Sequence, residues 1–243
     1  MTIDNISDKL DHILSGLPAL LPEVVLAVTF LAGIGTGLFL DRRWRQGTLS
    51  ITLGGIALAG IFSALQLAQP VANDLLFGML DADGFGRYTR VLVAVVCLLF
   101  ALFVHANPDF AAHRKKTADF YSILLAMHIG LNLMGMATSW LMVFVSIEMV
   151  SIGSYLMVGY LAKEARQTEA AMKYVLFGSV CSAVMLYGLS FLYGFTGDLD
   201  FTSEPHARGL SATAPLLLAT ALLLVFTGIG FKLSFVPFHF WTP

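Results

Sequence analysis

Seven long stretches of the chain consist almost entirely of apolar residues, and they restrict the fold more than any other feature of the sequence. A transmembrane helix needs about 20 mainly apolar residues. The stretches lie at residues 22–40, 49–67, 88–104, 120–137, 140–161, 170–193 and 214–241. The sequence therefore predicts an all-α fold, a polytopic transmembrane helix bundle of about seven spans.

The amino-acid composition fits a chain whose surroundings are mostly lipid. Hydrophobic residues make up 57% of the 243 residues and charged residues only 12%, about half of the usual share in a soluble domain. The net charge of −2 is too small to indicate a nucleic-acid partner. Cys97 and Cys181 lie in apolar runs without a CxxC motif, so we interpret them as small core residues. The sequence shows no metal-ligand spacing and no haem, flavin or dinucleotide motif, so we expect no metal or cofactor in this chain.

Residues 1–21 precede the first apolar stretch and differ from it. Their start is acidic, whereas a secretory signal peptide begins with basic residues. Apolar residues recur at helical spacing from Ile3 to Leu17. We expect either a short amphipathic helix at the membrane interface or a frayed polar tail.

The distribution of Lys and Arg between the stretches predicts the orientation in the membrane, because cytoplasmic loops carry an excess of cations. One set of connections holds eight cations: Arg42, Arg43, Arg45, Arg114, Lys115, Lys116, Lys163 and Arg166. The opposite set holds four: Lys9, Arg87, Arg90 and Arg208. The first set is therefore predicted to be cytoplasmic and the N-terminus to lie outside. Two longer external connections, 68–86 and 194–213, are expected to be solvated loops.

This assignment of the loops accounts for all Lys, Arg, Asp and Glu residues except three: Glu148, Lys173 and Lys232. An ionisable residue near the centre of a membrane helix costs about 2.5–3.5 kcal/mol on insertion scales and is usually functional. Glu148 lies in mid-span, and Ser151 and Tyr155 share its helical face, so this face is expected to point at other helices. The alternative is a structural carboxylic acid that only hydrogen-bonds a neighbour.

Lys232 precedes a predicted break in the last span. Gly228 and Gly230 come before it and Pro237 follows. Proline cannot donate a hydrogen bond to the carbonyl four residues earlier, so the helix is expected to break immediately after Lys232. Broken helices at membrane depth are a recurring device of ion transporters, and a partly desolvated amine there can exchange its proton. The alternative is a lysine that reaches the membrane surface.

Five other polar residues within or near the spans have less certain roles from the sequence alone. Lys173 lies in the first turn of its span. A role in proton translocation and a side chain that only extends to the membrane surface are equally compatible with this position. His128 and Asn132 predict a small polar patch. His239 lies beyond the break and either lines the cytoplasmic mouth or anchors at the interface. We interpret Glu23, in the first turn of a span, as structural.

Three segments resemble a known family. The segment GIGFKLSFVPFHFWTP resembles the broken-helix motif of the antiporter-like subunits of proton-pumping NADH:quinone oxidoreductase, respiratory complex I, and PFHFWTP is most similar to subunit N. SIEMVSIGSYLMVGY and EAAMKYVLFGSVCSAVMLYGLSFLYGFTG are similar to the fifth and sixth helices of that subunit. The resemblance extends from about residue 120 to 243. It implies that Glu148 and Lys232 are the proton-translocating pair, and it places Lys173 at a sixth-helix position.

The resemblance also implies a domain organisation. Members of the family have three leading helices followed by two inverted repeats of five helices. By this pattern, 22–119 holds the leading helices and 120–243 an incomplete proton-translocating repeat of four helices, the first part of an inverted-repeat fold. The chain is therefore expected to be a truncated sequence.

The function implied by the resemblance is that of a membrane subunit of a proton-translocating NADH:quinone oxidoreductase, without a catalytic centre of its own. FMN, iron–sulfur clusters and quinone would belong to partner subunits, and the partners would be the other membrane subunits of complex I and the lipid bilayer. The implied location is the bacterial inner membrane. Two alternatives remain: a subunit of a cation/proton antiporter or of an energy-converting hydrogenase, and a scaffold whose charges only lock helices together.

Overall fold

A computed structural model describes residues 4–39, 45–68, 72–107, 117–160, 162 and 164–239. Helices dominate this part of the chain, together with one 3₁₀ turn at Leu17–Leu20 and a two-stranded antiparallel hairpin. The helices are α1 Asp4–Gly16, α2 Leu21–Phe39, α3 Arg45–Gln66, α4 Gly84–Ala106, α5 Thr117–Met136, α6 Trp140–Tyr160, α7 Ala165–Thr196, α8 Glu204–Ala212 and α9 Pro215–Leu233. The strands are β1 Ala72–Leu75 and β2 Leu80–Ala82.

Six helical segments in the described residues are long and apolar enough to cross a membrane, and they confirm the predicted all-α transmembrane architecture. They are Leu10–Phe39, Gly47–Gln66, Gly84–Ala106, Trp140–Tyr160, Ala165–Thr196 and Pro215–Leu233. The remaining predicted span corresponds to α5, which has 20 residues. Asp119, His128 and Asn132 interrupt the apolar sequence of α5, and it is not one of the six.

The chain divides into two compact units, Met1–Ala137 and Thr138–Pro243. The first contains α1 to α5 and the hairpin, and the second contains α6 to α9. The predicted domain boundary between residues 119 and 120 stays a prediction. It separates the leading helices from the repeat of the family, whereas the two units here are defined by their compactness. Within the segment 1–21, residues 4–16 form α1. The predicted location of this segment at the membrane interface stays a prediction as well.

In the first unit, small residues let the helices of the bundle approach one another closely. A Cβ atom at Gly55 of α3 would collide with the side chain of Thr29 on α2, and one at Gly135 of α5 would collide with Thr89 of α4. Leu26, Ile56 and Leu125 are fully buried between these helices. Close packing of this kind is typical of membrane helices, where association depends on van der Waals contact and polar bonds.

In the second unit, α7 and α9 form the core against which the other elements pack. A Cβ atom at Gly188 of α7 would lie 2.8 Å from the backbone nitrogen of Val225 on α9. Gly228 of α9 similarly faces Met185 of α7. The buried cluster at this contact consists of Met185, Leu189, Leu192, Ala221 and Val225. This packing fixes the position of the last turn of α9, which carries Lys232.

The last span ends one residue after Lys232, close to the predicted break. Ser234 adopts a left-handed conformation (φ 53°). The N–H groups of Ser234 and Phe235 donate to the carbonyls of Phe231 and Gly230 at 3.2 Å each, which is a Schellman-type helix end. The turn of the chain therefore begins three residues before Pro237. Residues 240 and 241, the end of the predicted span, lie outside the described residues.

The two connections that were predicted to be external, solvated loops contain secondary structure and buried side chains. In 68–86 the hairpin buries Leu75, Leu80 and Ala82. In 194–213, α8 buries His206, whose imidazole lies 3.4 Å from the indole nitrogen of Trp140. Isolated apolar residues and one histidine in otherwise polar segments give these connections enough buried surface to fold against the helices.

Candidate functional site

Within the second unit, α6 and α9 bring the two predicted charges together. The Nζ atom of Lys232 lies 3.9 Å from Oε1 of Glu148. The Lys232 side chain is 17% exposed and the Glu148 side chain 26%. This distance is at the limit of an ion pair and beyond that of a hydrogen bond. The two charges attract each other but share no hydrogen bond.

Each of the two charges has a closer hydroxyl partner. Ser182 of α7 donates its hydroxyl to Oε1 of Glu148 at 2.5 Å. The ammonium of Lys232 donates to the phenol oxygen of Tyr155 at 2.9 Å. Hydrogen bonds to charged groups are about twice as strong as neutral ones, so these two contacts hold the charges in their separated positions.

The environment of Tyr155 is built to hold its ring in place. Gly178 of α7 lies directly against the Tyr155 ring, where a Cβ atom would collide with the phenol. Tyr174 packs edge-on against Tyr155 with ring centroids 4.6 Å apart, and its hydroxyl lies 3.0 Å from that of Ser154. The ammonium of Lys232 lies 5.1 Å from the centroid of the Tyr155 ring, within cation–π range.

The helix that carries Lys232 also favours a positive charge at this position. Lys232 lies in the last turn of α9, where the macrodipole is negative. Two unit charges about 4 Å apart attract by about 1 kcal/mol in water and about 4 kcal/mol at the effective dielectric of a protein surface. A displacement of about 1 Å, from hydrogen bonding with Tyr155 to contact with Glu148, therefore changes the strength of this attraction.

The structure places the other predicted residues less centrally. Ser151 is buried on α6, but its hydroxyl donates to the carbonyl of Ile147 at 2.6 Å. Lys173 is 59% exposed on α7 and pairs with Glu169 at 2.5 Å, so its side chain is directed away from Glu148. His239 is exposed in the turn after α9. His128 lies in the first unit, fully buried on α5.

Two residues of the site did not emerge from the sequence, Ser182 and Tyr174. Both lie on α7, and each makes its contact with a residue at least 20 positions away on α6. The available signal was weak: Gly178, Ser182 and Met185 recur at helical spacing on α7 and form its buried face.

The first unit contains a buried ion pair that the sequence assignment missed. Arg90 of α4 is fully buried, and its Nη2 atom lies 2.8 Å from Oε2 of Glu23 on α2. The interpretation of Arg87 and Arg90 as loop cations was wrong, because both are buried on α4. Their side chains meet Gln66, and that of Arg90 also meets Glu23, partners far along the chain that the sequence does not reveal. Glu23 is thus part of a charged cluster within the helices.

Several known proteins are similar to this chain in sequence. Residues 137–243 match the transmembrane family described as NADH:quinone oxidoreductase/Mrp antiporter. NADH-quinone oxidoreductase subunit N 2 of Chloroherpeton thalassium is 33% identical over 240 residues, which cover 98% of this chain and 46% of that protein. NAD(P)H-quinone oxidoreductase subunit 2 of Synechococcus sp. (strain JA-3-3Ab) is 38% identical over 225 residues, 93% of this chain and 42% of that protein.

Solved structures show the same relationship. A chain of respiratory complex I from Thermus thermophilus aligns with a TM-score of 0.72 and 30% identity, over 91% of this chain and 46% of that one. A chain of the archaeal membrane-bound sulfane sulfur reductase gives a TM-score of 0.77 at 20% identity, over 93% of this chain and 47% of that one. At this identity the second likeness shows the fold alone.

The chain thus spans about half the length of the curated relatives it matches. It is an integral membrane protein of the antiporter-like family of NADH:quinone oxidoreductase membrane subunits, and its curated relatives there are subunit N and subunit 2.

Proposed function

We propose that this chain translocates protons as part of a membrane subunit of a NADH:quinone oxidoreductase. The observation that carries the proposal is the separated pair of Glu148 and Lys232, in which each charge has a hydroxyl partner of its own. A pair held at the edge of contact can be closed or opened by a small displacement. The predicted translocation residues are therefore Glu148 and Lys232, with Tyr155 as the alternative partner of the lysine.

The mechanism follows from the two positions available to Lys232. When the ammonium closes on Glu148, the opposite charges stabilise each other, and both groups keep their charged forms. When it moves to Tyr155, part of this attraction is lost, so the lysine releases a proton more readily and the carboxylate takes one up more readily. Repeated opening and closing then moves a proton between the two groups, provided that the energy for each cycle comes from elsewhere.

Lys173 stays in the proposal only as a sequence prediction. It lies on the same helix as Ser182, but its exposed side chain pairs with Glu169. Its exposure leaves it accessible to another subunit or to water at the membrane surface.

The proposal places electron transfer in partner subunits. FMN, iron–sulfur clusters and quinone would belong to those subunits, and this chain would contain no redox centre. The partners would be other membrane subunits of the same complex, a proposal supported by the names of the curated relatives and of the complex I structure.

The proposed location is the bacterial cytoplasmic membrane, with the N-terminus outside. The excess of cations in one set of connections supports this orientation, although Arg42, Arg43, Arg114, Lys115, Lys116 and Lys163 lie outside the described residues. The burial of Arg87 and Arg90 on α4 removes two cations from the opposite side and increases the asymmetry.

A cation/proton antiporter subunit and a hydrogenase subunit are less well supported. The relatives at 30–38% identity are quinone oxidoreductase subunits. The Mrp complex from Dietzia sp. shares only 19% identity, with a TM-score of 0.71, and so supports the fold alone.

The experiment that tests the proposal compares Glu148→Gln and Lys232→Met in the assembled complex. Both variants are expected to leave assembly intact but to slow NADH-driven proton uptake by reconstituted vesicles by at least about tenfold, since general acid–base groups contribute about 10²–10⁴-fold. The matched controls are Glu204→Gln and Arg208→Met, which remove an exposed ion pair on α8 and are expected to leave uptake unchanged.

Two results would contradict the proposal. Full proton uptake by either Glu148→Gln or Lys232→Met would show that the pair does not carry protons. Loss of assembly with full uptake per assembled complex would favour the scaffold alternative.

A further inference from the structure

The first unit contains a second cluster of ionisable groups inside its helices, which we name the Glu23 cluster: Glu23 of α2, Arg90 of α4, and His128 and Asn132 of α5. Arg90 and His128 are fully buried, and Asn132 and Glu23 are 1% and 7% exposed. The proposed translocation pair does not use any of these residues. They require an explanation of their own, because intramembrane ionisable residues are costly.

Both oxygens of the Glu23 carboxylate have partners. Arg90 Nη2 donates to Oε2 at 2.8 Å, and Asn132 Nδ2 donates to Oε1 at 3.0 Å. Arg90 Nη1 also donates to the side chain of Gln66 at 3.0 Å. The carboxylate is therefore linked to α4 on one side and to α5 on the other.

Several buried atoms of this cluster, and one more on α5, have no hydrogen-bond partner among the described residues. They are both ring nitrogens of His128, Oδ1 of Asn132, Nε of Arg90 and, two turns before His128 on α5, Oγ of Ser122. His128 lies one helical turn from Asn132, so the two side chains are neighbours on one face of α5. Buried polar atoms nearly always have a protein or water partner. A bound water needs two to four polar partners, and this face of α5 offers them.

We infer that the Glu23 cluster is a second proton-exchanging site, in which bound water connects the imidazole of His128 with Asn132 and the Glu23 carboxylate. A proton that leaves an imidazolium N–H passes to water, and water gives a proton to the carboxylate. The step leaves a neutral imidazole and a neutral carboxyl group, while Arg90 keeps its charge. The inference rests on the proposed function, since the site has a use only in a chain that translocates protons.

A purely structural ion pair does not account for His128. Such a pair joins helices through Glu23, to which Arg90 and Asn132 each donate a hydrogen bond. An imidazole without a partner among the described residues adds nothing to that link, whereas histidine is the side chain best suited to exchange protons near neutral pH.

The experiment measures proton uptake and assembly of the membrane complex with His128→Leu. A structural cluster predicts no loss, because this substitution removes no hydrogen bond seen in the described residues. The inference predicts normal assembly with uptake slowed about tenfold. The matched control is Leu125→Met, a fully buried position on the same helix with similar volume, which is expected to behave like the wild type.

A second variant, Glu23→Met with Arg90→Met, tests the carboxylate. A buried ion pair can often be replaced by apolar residues of similar volume without loss of stability. Assembled complex with uptake slowed about tenfold would support the inference, and assembled complex with full uptake would overturn it. If this double variant does not assemble, proton uptake by His128→Leu alone is the test. Full uptake by His128→Leu would then overturn the inference.

The outcomes for the two sites are separable. If Glu148→Gln takes up protons at the full rate, the proposed function fails. If Glu148→Gln is slow while His128→Leu and the double variant are both fast, only the second site is refuted.

Discussion

At the scale of single residues, two hydroxyl groups determine the distance between Glu148 and Lys232. Ser182 donates to the carboxylate and Tyr155 accepts from the ammonium. The charges are 3.9 Å apart because each has a competing partner. The strength of these two hydrogen bonds therefore sets how readily the pair closes.

We expect Ser182→Ala to slow proton uptake by the assembled complex several-fold, less than Glu148→Gln does. The substitution removes one hydrogen bond to a charged group, and such a bond contributes about 1.5–3 kcal/mol. It keeps the carboxylate of Glu148 itself. Ser179→Ala on the same helix is the control, since the Ser179 hydroxyl donates to its own helix at the carbonyl of Val175. Equal rates in Ser182→Ala and Ser179→Ala would remove Ser182 from the site.

Substitution Tyr155→Phe keeps the ring and removes only the oxygen that accepts from Lys232. The ammonium is then expected to close on Glu148, and the favoured closed state should slow uptake by about tenfold, corresponding to about 1.4 kcal/mol. The measurement is vesicle proton uptake, with Tyr187→Phe, an exposed tyrosine of α7, as the control. Wild-type uptake by Tyr155→Phe would show that the hydroxyl does not hold the lysine open.

The sequence was sufficient to select Glu148 and Lys232 as candidates, because a charge within a long apolar run is detectable without a structure. It was not sufficient to find Ser182, whose contact with Glu148 joins residues 34 positions apart. Arg90 was assigned to a loop because it lies near the start of its apolar run. Its actual partner, Glu23, is 67 residues away, and no local pattern reveals such a pairing.

At the scale of elements, a single small residue on α7 makes room for the Tyr155 ring. We expect Gly178→Ala to displace this ring from Lys232 and to slow uptake, although alanine has the higher helix propensity. Gly194→Ala on the same helix is the matched control. A Cβ atom at Gly194 meets no atom within 4 Å, so that substitution should retain uptake and stabilise the helix by about 0.5–1 kcal/mol. Unchanged uptake in both variants would refute a role for the close approach at Gly178.

The connection between α7 and α8 is held by a carboxylate outside the spans. The backbone N–H of Asp200 and the hydroxyl of Ser203 donate to Asp198, and these hydrogen bonds, with that from the Asp200 N–H first, lower the pKa of the Asp198 carboxyl below its ordinary value. A lowered pKa in the folded state stabilises the fold above the unfolded-state pKa. This contribution is lost as the pH falls through the folded-state value.

We therefore expect Asp198→Asn to lower the melting temperature of the second unit by about 2–4 °C near neutral pH, as a change of about 1 kcal/mol does in a protein of this size. The difference from the wild type should begin to shrink below about pH 4, where Asp198 of the unfolded chain becomes protonated, and should disappear once the pH falls below the lowered pKa of the folded state. Thermal melts over this pH range provide the test. A difference that stays constant down to low pH would contradict the assignment.

Local sequence patterns predicted most elements but not their ends. The spans were recognisable from apolar length, and the end of α9 from Pro237. The Schellman turn at Ser234 was missed, because serine rarely takes a left-handed conformation and its presence there depends on the Phe235 and Phe238 rings that cover Gly230. The hairpin and α8 were predicted as loops, since short elements depend on burial against neighbouring helices.

At the scale of the whole molecule, the chain has the helical architecture of its family. Each of its two compact units also carries charged side chains inside its helices. The first unit carries the Glu23 cluster and the second the Glu148–Lys232 pair. The central claim concerns the second unit: Glu148 and Lys232 act as one proton-translocating pair. Residues that act as a unit show non-additive losses when they are removed together.

The most direct test is a double-mutant cycle on proton uptake with Glu148→Gln, Lys232→Met and the combination of both, each measured per assembled complex. If the two charges act as one pair, the double variant should be no slower than the slower single variant. A double variant whose loss equals the product of the two single losses would show that Glu148 and Lys232 act independently, and would contradict the account.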